Sequence, residues 1–290
     1  MSELSDHTKL MNIFICLANK NRVCTPVLFN NHYTIETIEL QFNKQDSRKI
    51  HSDIALINPQ VNNLLLLECK DGRLQNDQCE RYKTLNQKDI VTAGITTLSG
   101  NFTFEVSYAG TQEKKDVLIQ DIKNNTCNFP VLICDDYKVK LEHNNFNCKV
   151  LQNIFSTNGG IDIPNPVPLF YYPFGTDDSE AHILSWIGPT LIKLRGQCFN
   201  IDDILKATHQ CFNYIDNESL GNIKSRLFNI LKKISKNDMN EFFDLPPSDA
   251  QFKLKDFGVK KFQTSINNCV NKSDKEVSKE TQKAMSEYFK

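Results

Sequence analysis

The sequence predicts a mixed α/β (α+β) domain followed by a mainly helical one, and three observations carry that prediction. Between Lys9 and Leu141, apolar or alternating runs of strand length are interleaved with segments of helical spacing, as expected for a mixed central sheet flanked by helices. That pattern stops at Asn158-Gly159-Gly160 and the prolines at 164, 166, 168 and 173. Beyond them the spacing becomes mainly helical. A chain of 290 residues exceeds one small core, and the break divides it into 1–160 and 161–290.

Taken in order, Lys9 to Ala18 has the spacing of a short amphipathic helix, and Ile35 to Leu40 alternates as a strand. Ser52 to Pro59 and Leu64 to Lys70 read as strand, turn, strand, with Asn58-Pro59 and Asn62-Asn63 as the turn signals. The four leucines 64 to 67 mark a central strand buried on both faces. Asn76 to Asn86 is expected to be a helix, and Phe102 to Tyr108 a half-buried strand ending at Gly110. A helix from about Lys114 to Asn124, a strand from Phe129 to Cys134 and an edge strand from Tyr137 to Leu141 complete the first half.

In the second half, Ala181 to Leu194 reads as a helix bent at Gly188-Pro189. Asn200 is the N-cap of a second helix, with Ile201, Ile204, Leu205, Thr208 and Phe212 on one face. The third carries the stripe Leu220, Ile223, Leu227, Ile230, Leu231 and Ile234, with Lys224, Arg226, Lys232, Lys233 and Lys236 on its other faces. Phe242 to Leu245 and Phe252 to Lys255, joined by turn residues 246–249, make a two-stranded wing, and a charged helical tail follows Thr264.

A net charge of −1 excludes a polycation, so any nucleic-acid contact has to come from a local patch. The ten cysteines are scattered without a C-x-x-C pair, several within apolar runs, which argues against zinc and for a reducing cytoplasm. Neither a basic-then-apolar leader nor a run approaching the roughly 20 apolar residues of a membrane span occurs, so no membrane association is expected. There is no glycine-rich phosphate loop, so ATP-driven action would need a partner protein.

The chemistry concentrates around the hairpin. Glu68 and Lys70, two apart on one strand, share a face, and the hairpin brings Asp53 beside Glu68. Adjacent carboxylates repel unless a divalent cation lies between them, and oxygen ligands on an incomplete shell suit Mg2+ or Mn2+. The Cys69 backbone carbonyl can supply a further ligand. A lysine there can orient or deprotonate an attacking water and stabilise charge growing on a phosphate. A lone Glu-x-Lys strand is usually a solvated edge, but these leucines bury it, and a buried charged pair is costly unless something uses it.

Asp53, Glu68-Cys69-Lys70 and Gln78-Cys79-Glu80-Arg81-Tyr82, in that order, resemble the PD-(D/E)xK (restriction endonuclease-like) nuclease superfamily, whose RecB-like branch carries such a Q-x-x-x-Y helix. The resemblance covers roughly Ile35 to Tyr137. It implies a mixed central sheet flanked by helices, with Asp53 and Glu68 on metal, Lys70 activating water, and Gln78 and Tyr82 positioning substrate and active-site groups from one helical face. Ser52 stands where the superfamily has proline, and the upstream helix acid of many members corresponds to Glu3, Glu36 or Glu39. The implied function is a metal-dependent deoxyribonuclease, endonucleolytic, in restriction, anti-phage defence or DNA repair. It would act as a homodimer or with a partner protein that supplies specificity or ATPase activity. The alternatives are an RNA nuclease using the same chemistry and an inactive descendant that binds nucleic acid or protein. The helix, helix, basic helix and hairpin of the second half resemble a winged-helix domain. That implies DNA contacts from Lys224, Arg226, Lys232, Lys233, Lys253 and Lys255.

Overall fold

The computed structural model describes residues 5–43, 49–74, 77–174, 180–244, 251–269 and 271. The chain forms two compact units, one of Leu4–Tyr171 with Asn213–Ser219, the other of Tyr172–Phe212 with the chain from Leu220 onward.

The first unit is a seven-stranded mixed sheet with helices on both faces. Helix α1 (Asp6–Ala18) starts one turn earlier than its apolar spacing suggests, because the Ser5 hydroxyl caps it, accepting from Thr8 N at 3.2 Å. After the single turn α2 (Val27–Asn30), strands β1 (Thr34–Asn43), β2 (Lys49–Asn58) and β3 (Asn63–Lys70) form an antiparallel meander. Strand β4 (Thr103–Thr111) then pairs parallel with β3, β5 (Val131–Cys134) parallel with β4, and β6 (Lys138–His143) antiparallel with β5. The crossover from β3 to β4 carries helices α3 (Gln78–Lys83) and α4 (Gln87–Thr92), and that from β4 to β5 carries α5 (Lys115–Asn124).

Leu64 to Leu67 are all fully buried, as their run predicts. Leu64 and Leu66 pack with Ala55, Cys79, Tyr82, Ile90, Leu118 and Ile122 on the side of α3 to α5. Leu65 and Leu67 point to the opposite face by strand alternation. Each such leucine contributes about 1.5–3 kcal/mol relative to exposure.

Three expectations are corrected. The helix expected over 76–86 ends at Lys83, and a separate one starts because Asn86 and Asp89 form a capping box. Strand β4 is not half-buried: Glu105 to Gly110 are covered on both faces, since β4 lies between β3 and β5 under helices. Nor is β6 the edge, because β7 (Ile161–Asp162) pairs outside it. The division between units accordingly falls at Tyr171, past residue 160. Segment 163–171 returns to the sheet unit, where buried Asn12 accepts from Phe170 N (2.6 Å) and Tyr171 N (2.9 Å) and donates to Tyr171 O (2.8 Å).

Helix α6 (Lys149–Ser156) still belongs to the sheet unit, and in the second unit α7 (Glu180–Lys193) runs through Pro189. Helix α8 (Ile201–Thr208) opens on the expected Asn200 cap, reciprocated by Asp203, but stops before Phe212. Helix α9 (Asn217–Lys236) buries Ile223, Leu227, Ile230, Leu231 and Ile234, while Leu220 is half-buried. Where a two-stranded hairpin was expected there is a three-stranded sheet, in which β8 (Cys198–Phe199) and β9 (Phe243–Asp244) flank β10 (Phe252–Leu254). A two-residue strand has no period to read, so β8 left no trace in the sequence. The turn expected at 246–249 and the tail beyond 271 lie outside the described residues. Among the described residues, no helix is long and apolar enough to cross a membrane.

Candidate functional site

The β2–β3 ladder ends at the pair Ile54–Leu67, so that Asp53 and Glu68 stand opposite each other one step further on. The main-chain pairing is replaced there by side chains: the Ser52 hydroxyl donates to Leu67 O at 3.3 Å, and Cys69 N donates to Asp53 Oδ2 at 2.6 Å. Lys70 pairs with Gly110 of β4, and Thr111 with Cys134 of β5, so the site lies at the carboxyl ends of three parallel strands. Crevices at such strand ends are where open α/β sheets bind ligands.

Glu68 is the hub. Its Oε1 accepts from Lys70 Nζ and from Gln78 Nε2, both at 2.6 Å, and Tyr82 Oη lies 2.6 Å from its Oε2. Gln78 and Tyr82 reach it together because they are four apart on α3. Tyr82 Oη is also hydrogen-bonded to His51 O. The phenolic proton is thus contested by two acceptors, Glu68 Oε2 and His51 O. Burial and the Asp53 charge push Glu68 up to about 7, against the pull of Lys70 and Tyr82. Burial acts to raise Asp53 as well, but His7, the Cys69 amide and Lys70 outweigh it and hold that carboxyl below the usual range. Two neighbouring carboxyls whose proton affinities are driven apart suit acid–base or cation-binding work.

A second layer surrounds Asp53. His7 of α1 places Nε2 at 3.2 Å from Asp53 Oδ1, and His51 Nε2 lies 3.0 Å from Glu39 Oε2, with Tyr171 Oη 3.2 Å from Glu39 Oε1. Burial opposes the charge on both imidazoles, yet the Asp53 and Glu39 carboxylates raise His7 to about 9 and His51 to about 8. Glu39 lies between the Ile38–Ile54 and Leu40–Ser52 pairs, across from Asp53, with φ of +63°. Such a backbone is uncommon for a residue with a Cβ, and strain of this kind is concentrated at functional sites.

The structure thus brings Asp53, Glu68, Lys70, Gln78 and Tyr82 together. Of the three acids considered upstream, Glu39 is at the site. Glu36 accepts from Thr97 Oγ1 at 2.6 Å on an exposed surface, and Glu3 lies outside the described residues. The sequence reading missed His7, His51 and Tyr171. His51 was legible in principle, since it is two before Asp53 on one strand face; His7 and Tyr171 reach the site only through tertiary packing.

Oxygen donors and mutual repulsion fit a hard divalent cation at Asp53 and Glu68, as does the buried Gln78 Oε1, which has no protein partner. Among the described residues, no three or more His, Cys, Asp and Glu side chains form a group ready to hold a metal. A cation here would therefore draw on two carboxylates and a neutral oxygen such as the Cys69 carbonyl, and be completed by water or substrate oxygens, a shell that suits Mg2+. A cavity of about 600 Å3 between α1 and the ends of β4 and β5 is lined by Asp6, Lys9, Glu113, Asp135 and Asp136. Its acidic balance does not suit a polyanion.

The six basic residues of the second half belong to the other unit. Lys224, Lys233 and Lys253 are ion-paired with Asp202 (2.8 Å), Glu180 (2.7 Å) and Asp244 (3.0 Å). Lys232 lies over the Phe228 ring, Arg226 is half-buried, and Lys255 is exposed.

The first unit is therefore a mixed-sheet α/β domain with a buried carboxylate pair at the carboxyl ends of its parallel strands. The chain belongs to the MJECL32 domain family, whose model matches residues 6–172 and so spans every site residue from His7 to Tyr171. No curated protein and no solved structure matches the chain.

Proposed function

We propose that the chain is a metal-dependent nuclease that hydrolyses phosphodiester bonds of DNA, most simply as an endonuclease. The observation that carries this reading is the convergence of Lys70, Gln78 and Tyr82 on Glu68, beside Asp53. The order of a long helix and a single helical turn, three antiparallel strands, helices and a parallel strand is also in keeping with what the PD-(D/E)xK resemblance implies. Asp53, Glu68 and the Cys69 carbonyl would hold Mg2+ or Mn2+, which when bound supplies Lewis acidity and a water of lowered pKa. Lys70 orients the attacking water and stabilises charge on the phosphate. Gln78 and Tyr82 fix Glu68, while His7 fixes Asp53. The helical unit, read as a winged helix, contacts DNA or a partner; phosphates would have to displace the acids now paired with Lys224, Lys233 and Lys253.

The test is cleavage of circular plasmid, linear duplex, single-stranded DNA and RNA with Mg2+, Mn2+ or EDTA, beside Lys70→Ala. Metal-dependent cutting that falls by about a hundredfold or more in the variant is expected; equal cutting by both proteins would sink the assignment. A second reading is an inactive nuclease fold that serves as a binding module. Calorimetry with Mn2+ separates the two: the first requires a site lost in Glu68→Ala, the second no specific site.

A further inference from the structure

We propose that Cys16 and Cys24 are a redox-modification site, which low-molecular-weight disulfides of the glutathione type convert into a reversible intrachain disulfide. Their sulfur atoms lie 2.8 Å apart, roughly 0.8 Å beyond a disulfide bond of about 2.05 Å, so little movement is needed to join them. The segment that presents Cys24 is held in place. Asn21 Nδ2 donates to Cys16 O (2.7 Å) and Asn19 O (2.8 Å), and its Oδ1 accepts from Val23 N (2.9 Å) and Cys24 N (3.0 Å). One side chain thus folds residues 19–24 back onto the last turn of α1 and aims Cys24 at Cys16.

The two thiols differ in access. Cys16 is fully buried on α1, and burial together with the neighbouring Cys24 raises its thiol above the ordinary range. Cys24 is partly exposed and lines a cavity of about 720 Å3 with Lys138, Asn153, Thr157 and Asp162, through which a small reagent can reach it. This asymmetry sets the order of steps. Cys24 loses its proton and attacks one sulfur of the external disulfide, breaking the S–S bond and releasing one thiolate, which takes up that proton. Cys16 then loses its proton and attacks the Cys24 sulfur of the mixed disulfide, expelling the second thiolate, which is protonated in turn. Two protein thiols and one external disulfide give one protein disulfide and two external thiols. Cys79 and Cys127 also have neighbouring thiols, but both are buried, and Cys198 is exposed without a described thiol partner. They serve as internal controls.

The full chain is incubated with oxidised glutathione, acid-quenched, unfolded, alkylated and mapped by mass. The expected result is the loss of two alkylatable thiols, one cross-linked peptide joining Cys16 to Cys24, and reversal by dithiothreitol. Cys16→Ala should instead stall with glutathione on Cys24, and Cys24→Ser should yield neither product. Cys16 and Cys24 remaining fully alkylated while Cys198 takes glutathione would overturn the proposal. So would cross-links distributed among the other cysteines of the folded protein. The unaltered protein decides this by itself, so a poorly folding variant leaves the conclusion intact. The proposal does not depend on the nuclease reading.

Discussion

Removing the Asp53 charge is expected to lower the His7 pKa by about one unit or more in the metal-free protein. His7 lies 3.2 Å from Asp53 and is raised from 6.5 to about 9, although burial pulls the other way; the Asp53 hydrogen bond and charge lead the opposing contributions, with Glu39 and Glu68 behind. That rise corresponds to at most about 3 kcal/mol, reduced by solvent screening of a ring that is 28% exposed. In Asp53→Asn, burial is opposed only by the two more distant carboxylates, and the pKa returns towards 6.5. Since the folded-state pKa is raised, His7 contributes stability that is full below pH 6.5 and lost as pH rises through about 9. Parent stability should therefore decline across that window, with a shallower decline in Asp53→Asn. His51, held up to about 8 against burial chiefly by Glu39 and to a smaller extent by Asp53, should lose only that smaller part in the variant. Ring-resonance titration in EDTA, assigned with His7→Gln, measures the pKa, and urea unfolding across the window measures the linkage. A His7 pKa in Asp53→Asn within about half a unit of the parent would refute the ion pair as its cause.

Three more outcomes follow from the same geometry. If Mg2+ or Mn2+ binds between Asp53 and Glu68, it must displace the proton that Glu68 holds with a pKa of about 7, so binding should release protons near neutral pH and weaken as pH falls; calorimetric enthalpies that do not vary with buffer ionisation would contradict this. Tyr82→Phe removes the hydroxyl that bridges Glu68 and His51 O, and should cost about 1–3 kcal/mol in denaturant unfolding. Asn12→Ala leaves the Phe170 and Tyr171 amides unpaired in the interior, for a loss of about 2–4 kcal/mol when two buried donors are orphaned; an unchanged melting temperature would mean that segment 170–171 is not held by Asn12.

The hairpin, its buried leucines and the shared faces of Glu68 with Lys70 and of Gln78 with Tyr82 were legible in the sequence because each depends on local periodicity, while the link from Gln78 and Tyr82 to Glu68 came from the PD-(D/E)xK resemblance. A strand repeats every two residues and a helix every 3.6, so Glu68 with Lys70, and Gln78 with Tyr82, share faces whatever surrounds them. The same holds for the Asn200 cap and the apolar stripe of α9, whose partners are a few residues away. What only the tertiary structure decided has no local period. His7 meets Asp53 across 46 positions of chain, Tyr171 meets Glu39 across 132, and Asn12 binds Tyr171 across 159. Burial of both faces of β4 follows from its neighbours in the sheet and not from its own alternation. The proton affinities of His7, Asp53 and Glu68 likewise arise only when folding removes water and sets these charges against one another, because Coulomb energy depends on distance and dielectric, neither of which a linear chain specifies.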